Sequence, residues 1–413
     1  MKHTIALMLL TAIVMAAPAQ QSTLRLPLKD CVSIALTHNL SYKSAEAAVS
    51  QSQLLEGTSF DLPQTQLSLV QTATDGGGPD NGLKLSQEFD FPTMYAAKRK
   101  FLKSETELER RKADMTRNDL VREICSLYDS LIYSREICTI VMRQDSLYDR
   151  FCRVAKARYD AGETSRLEWL NARRLCNENK LVLEQALLER ASLMLRFQIA
   201  LNIDEMVEPM ENELTLKESY VPGDTVNFVA TPEGMVADGR LAVARRSRTL
   251  AIQGFVPTLS VGATSQFLIK GFNPYNIDRQ RFEKGDFVGF EVGVGLPLFF
   301  GSQRAKARAA SKAMEAEELR MADERNRQMS AYKALSDDCR AALRAAEYYR
   351  NTGIPEAEEM EHLSTVSYEL GEIGYEEHAR NLESALAVRR ACSEAIEKYN
   401  QTIIKLKHIK GEL

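Results

Sequence analysis

The chain has 413 residues, 44% of them hydrophobic and 27% charged, which is a length for two or three domains and enough apolar material for a sizeable core. Lysine and arginine total 53 against 57 aspartates and glutamates, for a formal net charge of −4, and no long basic run interrupts the sequence. Nucleic acid therefore has no electrostatic footing on this chain.

Lys2 and His3 precede an apolar run from Ile5 to Ala17, and Ala17-Pro18-Ala19 supplies the small residues a signal peptidase reads. Residues 1–19 read as a secretory signal, too short for a transmembrane helix. Seven cysteines contain no C-x-x-C pair, so neither a zinc knuckle nor a redox pair is indicated. Most sit in helical runs and read as small buried apolar groups. Cys152 and Cys176 flank one turn at similar distances, which leaves a disulfide between them open.

After the leader, Lys29–Gly57 carries apolar residues near helical spacing and reads as one or two helices. From Leu67 the period falls to two, the run dissolves into a loop at Asp75–Gly82, and alternation resumes. There Leu83, Leu85, Phe89 and Phe91 oppose Lys84, Ser86, Glu88 and Asp90. Pro92 ends that strand. From about Tyr95 to Tyr159 the residues are good helix formers with Leu120, Ile124, Leu127, Leu131, Ile132 and Val141 on one face. At about 1.5 Å per residue this is a helix roughly 100 Å long, which a compact globule does not need. A return run spans Arg166 to about Leu201, and Glu208–Gly234 is a connector. Thr231-Pro232 then starts a helix with a cap and a first-turn proline. Beyond Pro257 the alternation returns. Leu259, Val261, Ala263 and Phe267 share one face of a strand, a loop spans Gly271–Gly285, and Val288, Phe290, Val292, Val294, Leu296 and Leu298 share one face of another.

The turn Ala157-Arg-Tyr-Asp-Ala-Gly-Glu-Thr-Ser165 recurs at Ser367-Tyr-Glu-Leu-Gly-Glu-Ile-Gly374. Tyr159, Gly162, Glu163 and Glu168 fall on Tyr368, Gly371, Glu372 and Glu377 at a constant offset of 209, that is 371 less 162. Phe91 and Phe300 keep the same offset, so strand end, long helix and turn share one register. A period this long indicates a duplicated domain, 20–212 and 213–413. The strands fall at about 64–92 and 256–300, and the turns at 159–165 and 368–374. Each glycine stands where a helix stops, and Ser165 can cap the returning helix. Gly353-Ile-Pro355 is the one departure, a proline inside the second long helix that kinks or breaks it.

Each half thus reads helix, strand, loop, strand, long helix, turn, helix. Strands of about ten residues cross a bilayer when tilted, and these have an apolar face for lipid and a small-polar face for a lumen. Four strands cannot close a barrel, and open edges cannot sit in hydrocarbon, so several copies must share one barrel; three give twelve strands. The competing readings are a soluble α+β protein with a coiled-coil stalk, and a periplasmic adaptor or coiled-coil scaffold without a pore. An enzyme is disfavoured by the scatter of His3, His38, His362, His378 and His408 and by the lack of a nucleophile motif or metal-ligand spacing. His362 and His378 flank the second turn, where solvent-exposed histidines are the ordinary expectation.

The duplicated order, the paired Tyr-x-x-Gly-Glu turns, the Gly295-Leu-Pro-Leu-Phe-Phe-Gly301 strand exit and the Leu26-x-Leu-Lys-Asp-x-Val-x-x-Ala-Leu-x-x-Asn39 opening resemble the TolC-type outer membrane efflux proteins. The resemblance covers nearly the whole mature chain. It implies a mainly α fold with a membrane β-barrel: a homotrimer whose twelve-stranded barrel, four strands per chain, lies in outer membrane lipid and continues into a periplasmic α-helical coiled-coil tunnel. It implies no enzymatic activity and no cofactor or metal. The expected role is a passive exit duct for an inner-membrane pump of the RND type, joined through a periplasmic adaptor in a Gram-negative bacterium. Glu376 and Glu377 match acidic residues that ring the closed aperture. Tyr368 matches a position that latches the closed state against the first hairpin, where Glu168 matches the acidic partner. Asp160, Ala161, Gly162, Ser165, Glu369, Leu370 and Gly371 match the adaptor-docking tips. The cargo is not legible in the residues.

Overall fold

A computed structural model describes residues 24–73, 79–217, 220, 223, 225–266 and 287–413. The signal segment, Phe267, the loop at 271–285 and much of the loop expected at 75–82 lie outside the described residues.

In chain order the elements are β1 (Leu24–Leu26), α1 (Leu28–His38), α2 (Leu40–Leu55), β2 (Gln66–Ala73), β3 (Pro79–Asp90), α3 (Pro92–Asp160), α4 (Arg166–Leu201) and β4 (Val207–Pro209). The second series is α5 (Pro232–Ile252), β5 (Thr258–Gln266), β6 (Phe287–Gly295), α6 (Phe300–Tyr348), a π turn at Tyr349–Gly353, α7 (Ile354–Glu369) and α8 (Tyr375–Lys410). The order of helix, hairpin, long helix, turn and returning helix is therefore observed twice. Two compact units result, and neither is a sequence half. One gathers the chain up to Asn39 with Glu123–Glu218 and Ala342–Gln401; the other gathers Leu40–Arg122, Ser219–Ala341 and Thr402–Leu413.

The second of these units holds a four-stranded antiparallel sheet in the order β2-β3-β5-β6. Its register brings apolar residues of neighbouring strands side by side. Leu67, Leu85, Ala263 and Phe290 lie in one line across the sheet, and Phe89, Leu259 and Val294 in another. Because successive side chains point to opposite faces, one face is predominantly apolar, with Gln87 beside Val261 and Ser265 between Leu83 and Val288 as polar members. Gln66, Ser68, Lys84, Ser86, Glu88, Ser260, Thr264 and Glu291 fall on the other. The apolar face is bare: Phe290 is 85% exposed and Val292 79%. On the polar face, Lys84 Nζ reaches Glu291 at 2.5 Å. The side-chain-free Gly262 pairs with Glu291 on the strand between them. β3 starts at Pro79, so residues 79–82, expected in the loop, belong to the strand. Backbone pairing with β2 runs on to Ala73–Pro79, and it supplies the hydrogen bonds that turn-forming residue types gave no sign of.

The same unit contains the first stretch of α3 and all of α5. Thr231 caps α5, its Oγ1 accepting the Gly234 N–H at 3.0 Å, with Pro232 in the first turn. Gly239 lies against Leu108, where an added Cβ would come within 3.1 Å of the leucine methyl. Arg111 locks the same pair of helices, donating to Asp238 and to the Met235 carbonyl, each at 2.8 Å.

In the other unit, β1 pairs in parallel with β4. Two asparagines tie the end of α1 to the end of α4: Asn39 Nδ2 donates to the Ala200 carbonyl at 3.1 Å, and Asn202 Nδ2 donates to the His38 carbonyl at 3.0 Å. The stretch over residues 29–57, read as one or two helices, is two, parted at Asn39 by extended backbone. The α3 face read from sequence is the core: Ile124, Leu131, Ile132 and Val141 are buried, with Tyr128 edge-on to Phe197. None of the seven cysteines forms a disulfide, Cys152 and Cys176 included, and six are buried. Burial pushes the Cys31 thiol up to about 12, so it packs as an inert apolar group.

The regular α-helix is interrupted just before Pro355, as the sequence implies, but the chain stays helical through the interruption. The missing N–H is absorbed by the π turn, whose wider ring lets the backbone pass from α6 into α7 with Pro355 in the first turn. Gly353 closes that turn against Tyr349 and Val388, which a Cβ would meet at 3.1 and 3.3 Å.

Candidate functional site

Both helical turns belong to the first unit and have one construction. Gly162 and Gly371 hold φ of +77° and +75°. In the first turn the Gly162 N–H donates to the Tyr159 carbonyl at 3.0 Å and the Glu163 N–H to the Arg158 carbonyl at 2.9 Å. In the second, Gly371 donates to Tyr368 at 3.1 Å and Glu372 to Ser367 at 2.8 Å. This double bond is the Schellman C-cap, which requires the left-handed conformation at the glycine. Either glycine changed to alanine is expected to cost about 1 kcal/mol, seen as a lower urea midpoint. A variant as stable as the parent counts against the strain.

An aromatic pair then closes each turn. Tyr159 stacks on Trp169 with ring centroids 5.4 Å apart and planes at 9°; Tyr368 stacks on His378 at 4.8 Å and 4°. Trp169 and His378 obey the same 209 offset, a correspondence the sequence reading stopped one residue short of. His378 is buried, against the expectation of a solvent-exposed histidine, because Tyr368 covers it. Asn381 Nδ2 donates to Ser364 Oγ at 3.3 Å, and that hydroxyl lies 2.9 Å from His378 Nδ1. His362 is exposed. No group of three or more metal-ligating side chains gathers among the described residues.

The acidic residues sit in the first turns of the returning helices, where a carboxylate complements the helix dipole. Ser165 Oγ caps α4 by accepting the Glu168 N–H at 3.2 Å, and the Glu168 carboxylate takes the Thr164 hydroxyl. Glu376 pairs with Arg380 at 3.3 Å, and Glu377 is exposed. Asp160, Ala161, Gly162, Ser165, Glu369, Leu370 and Gly371 are all exposed at the turns. Glu168 and Glu376 line one cavity of about 110 Å³ between the two hairpins, with Arg158, Asn171, Phe151 and Tyr375. No hydrogen bond joins Tyr368 to Glu168. Next to the turns, Tyr375 makes a contact between the hairpins, stacked on Phe151 at 5.6 Å. Sequence reasoning missed Tyr375 because its counterpart at the 209 offset is Arg166, so the repeat gives it no signal.

Two helical hairpins with matched turns, plus a four-stranded antiparallel sheet with one bare apolar face, make up the fold of a TolC-type outer-membrane channel subunit. Solved structures share it over nearly the whole chain. The Campylobacter jejuni CmeC outer membrane channel matches with a TM-score of 0.71 at 15% identity, covering 93% of this chain and 85% of that one. The outer membrane protein VceC of Vibrio cholerae matches at 0.71 and 17% identity, over 93% and 96%. The Neisseria gonorrhoeae MtrE outer membrane channel, in its open state, matches at 0.69 and 15%, over 93% and 88%. No protein-family model and no curated protein matches the sequence.

Proposed function

We propose that this protein is the outer-membrane exit duct of a tripartite export system, passively conducting substrates handed over by an inner-membrane pump of the RND type through a periplasmic adaptor. The observation that carries this reading is the sheet. One face carries apolar residues on all four strands, and β2 and β6 end the sheet with unpaired edges. Strands of eight to twelve residues suit a tilted bilayer crossing. Hydrocarbon offers no hydrogen bonds, so those edges need neighbours. Three copies supply them in a twelve-stranded barrel, and the duplicated unit 20–212 and 213–413 supplies the helical tunnel. A periplasmic scaffold has no use for the exposed apolar face. Extraction from the outer membrane only with detergent, a crosslinked trimer and conductance in a planar lipid bilayer are expected. A monomer soluble in plain buffer with no conductance refutes the duct.

Within that duct the second turn forms the inner aperture. Glu376 and Glu377 ring it, Tyr368 and Glu168 brace it from either hairpin, and the exposed residues of both turns dock the adaptor. Three copies of a carboxylate about one axis attract cations. Glu377→Gln is expected to weaken divalent-cation block of conductance several-fold, and an unchanged block removes Glu377 from the aperture.

A further inference from the structure

Tyr375 opens α8 directly after the second turn. It is 8% exposed, and its phenolic oxygen is shut off from water without a hydrogen-bond partner. Its ring, in contrast, is well placed: stacked on Phe151 of α3 at 5.6 Å and edge-on to Tyr368 of α7 at 5.6 Å. Such pairs add stabilisation beyond the area they bury. A hydroxyl stripped of water and left unpaired opposes the arrangement that buries it. Ring and hydroxyl therefore act in opposite senses on the same inter-hairpin contact. A buried polar atom left in that state calls for an explanation, and its position at the joint between two hairpins supplies one.

We propose that Tyr375 is a counterbalanced joint. Its ring stack holds the second hairpin against the first, and its unpaired hydroxyl keeps that arrangement shallow enough to release. When the hairpins part, the hydroxyl gains water while the stack is lost, so the two states stay close in free energy. The inference rests on the duct reading only for what the movement opens; the joint itself is a property of the hairpin pair.

Substitutions at one position separate the two roles, with opposite signs. Tyr375→Phe keeps the stack and deletes the unpaired group, so it should tighten the joint. Tyr375→Leu deletes the stack and should loosen it. Hydrogen exchange followed by mass spectrometry on the full-length detergent-solubilised protein reads this without any need for conductance. Amides in the first two turns of α8 are expected to exchange roughly tenfold more slowly in the Phe variant and faster than the parent in the Leu variant. In planar bilayers the Phe variant is expected to open less often. Exchange in Tyr375→Phe that matches or exceeds the parent overturns the proposal, and this variant decides alone if the Leu protein misfolds. A parent protein that forms no pore refutes the duct, while the order of exchange rates still decides the joint.

Discussion

Val292→Arg is expected to keep the protein out of the outer membrane, whereas Ser260→Arg is expected to leave it there. The two positions are neighbours in the sheet: Val261 pairs with Val292, and Ser260 is the residue before it. Alternation puts them on opposite faces. Val292 is 79% exposed near the middle of β6, with Phe290 and Val294 on the same face. An arginine at the bilayer midplane of a barrel costs about 2–4 kcal/mol, and in a shared barrel each copy carries it. Ser260 instead pairs with Glu88 and Gly293 on the polar face, so an arginine there gains an acidic cross-strand neighbour. Membrane fractionation followed by crosslinking distinguishes the two. Equal membrane yields and equal trimer content for both variants would end the assignment of the apolar face to lipid.

That face was legible because period-two alternation is a local signal, carried by Leu83, Leu85 and Phe89 without reference to any other strand. The turns were legible for a related reason: Gly162 and Gly371 each sit where the backbone needs positive φ, and the duplication states that need twice. What escaped depends on partners far away in sequence. β1 and β4 are three residues each and form a sheet only by meeting one another across about 180 residues. Pro355 marked the interruption, but local propensity gives no sign of the π turn, closed by Gly353 against Val388, that forms it. His378 looked exposed because nothing near it in sequence announces that Tyr368 will cover it. The helical turns show the same division. Glu168, Glu376 and Glu377 stand at helix starts as local rules suggest, but the aromatic contact between hairpins is made by Tyr375, whose part in it exists only once Phe151 is beside it.

Lys217→Met is expected to destabilise the protein by roughly 2–4 kcal/mol near pH 8, with a deficit that shrinks on acidification. Asp129 is 6% exposed, and its Oδ1 receives Lys217 Nζ at 3.3 Å and Asn400 Nδ2 at 3.3 Å, while Oδ2 has no partner. Asn400 fastens the same segment twice more: its Oδ1 accepts the Lys217 N–H at 3.1 Å and its amide donates to the Thr215 carbonyl at 3.0 Å. Removing one partner of a fully buried ion pair costs about 3–5 kcal/mol. The figure is set lower here because the lysine side chain is 34% exposed. Burial raises the Asp129 pKa against the pull of Lys217, and burial likewise raises that of Glu397, with Asp129 adding to it. Carboxyls that titrate above their unfolded values bind protons preferentially in the native state. Their contribution is complete below the unfolded pKa and is lost as pH rises through the folded one. Deleting the ammonium moves Asp129 further the same way, so a protonated Asp129 no longer misses it. Urea midpoints of parent and variant at about pH 8 and pH 5 should therefore converge at the lower value, and Asp129→Asn in the Lys217→Met background should recover most of the loss at pH 8. A deficit identical at both pH values, or an Asn variant that recovers nothing, would mean that the lysine acts through packing of its stem and not through the buried charge.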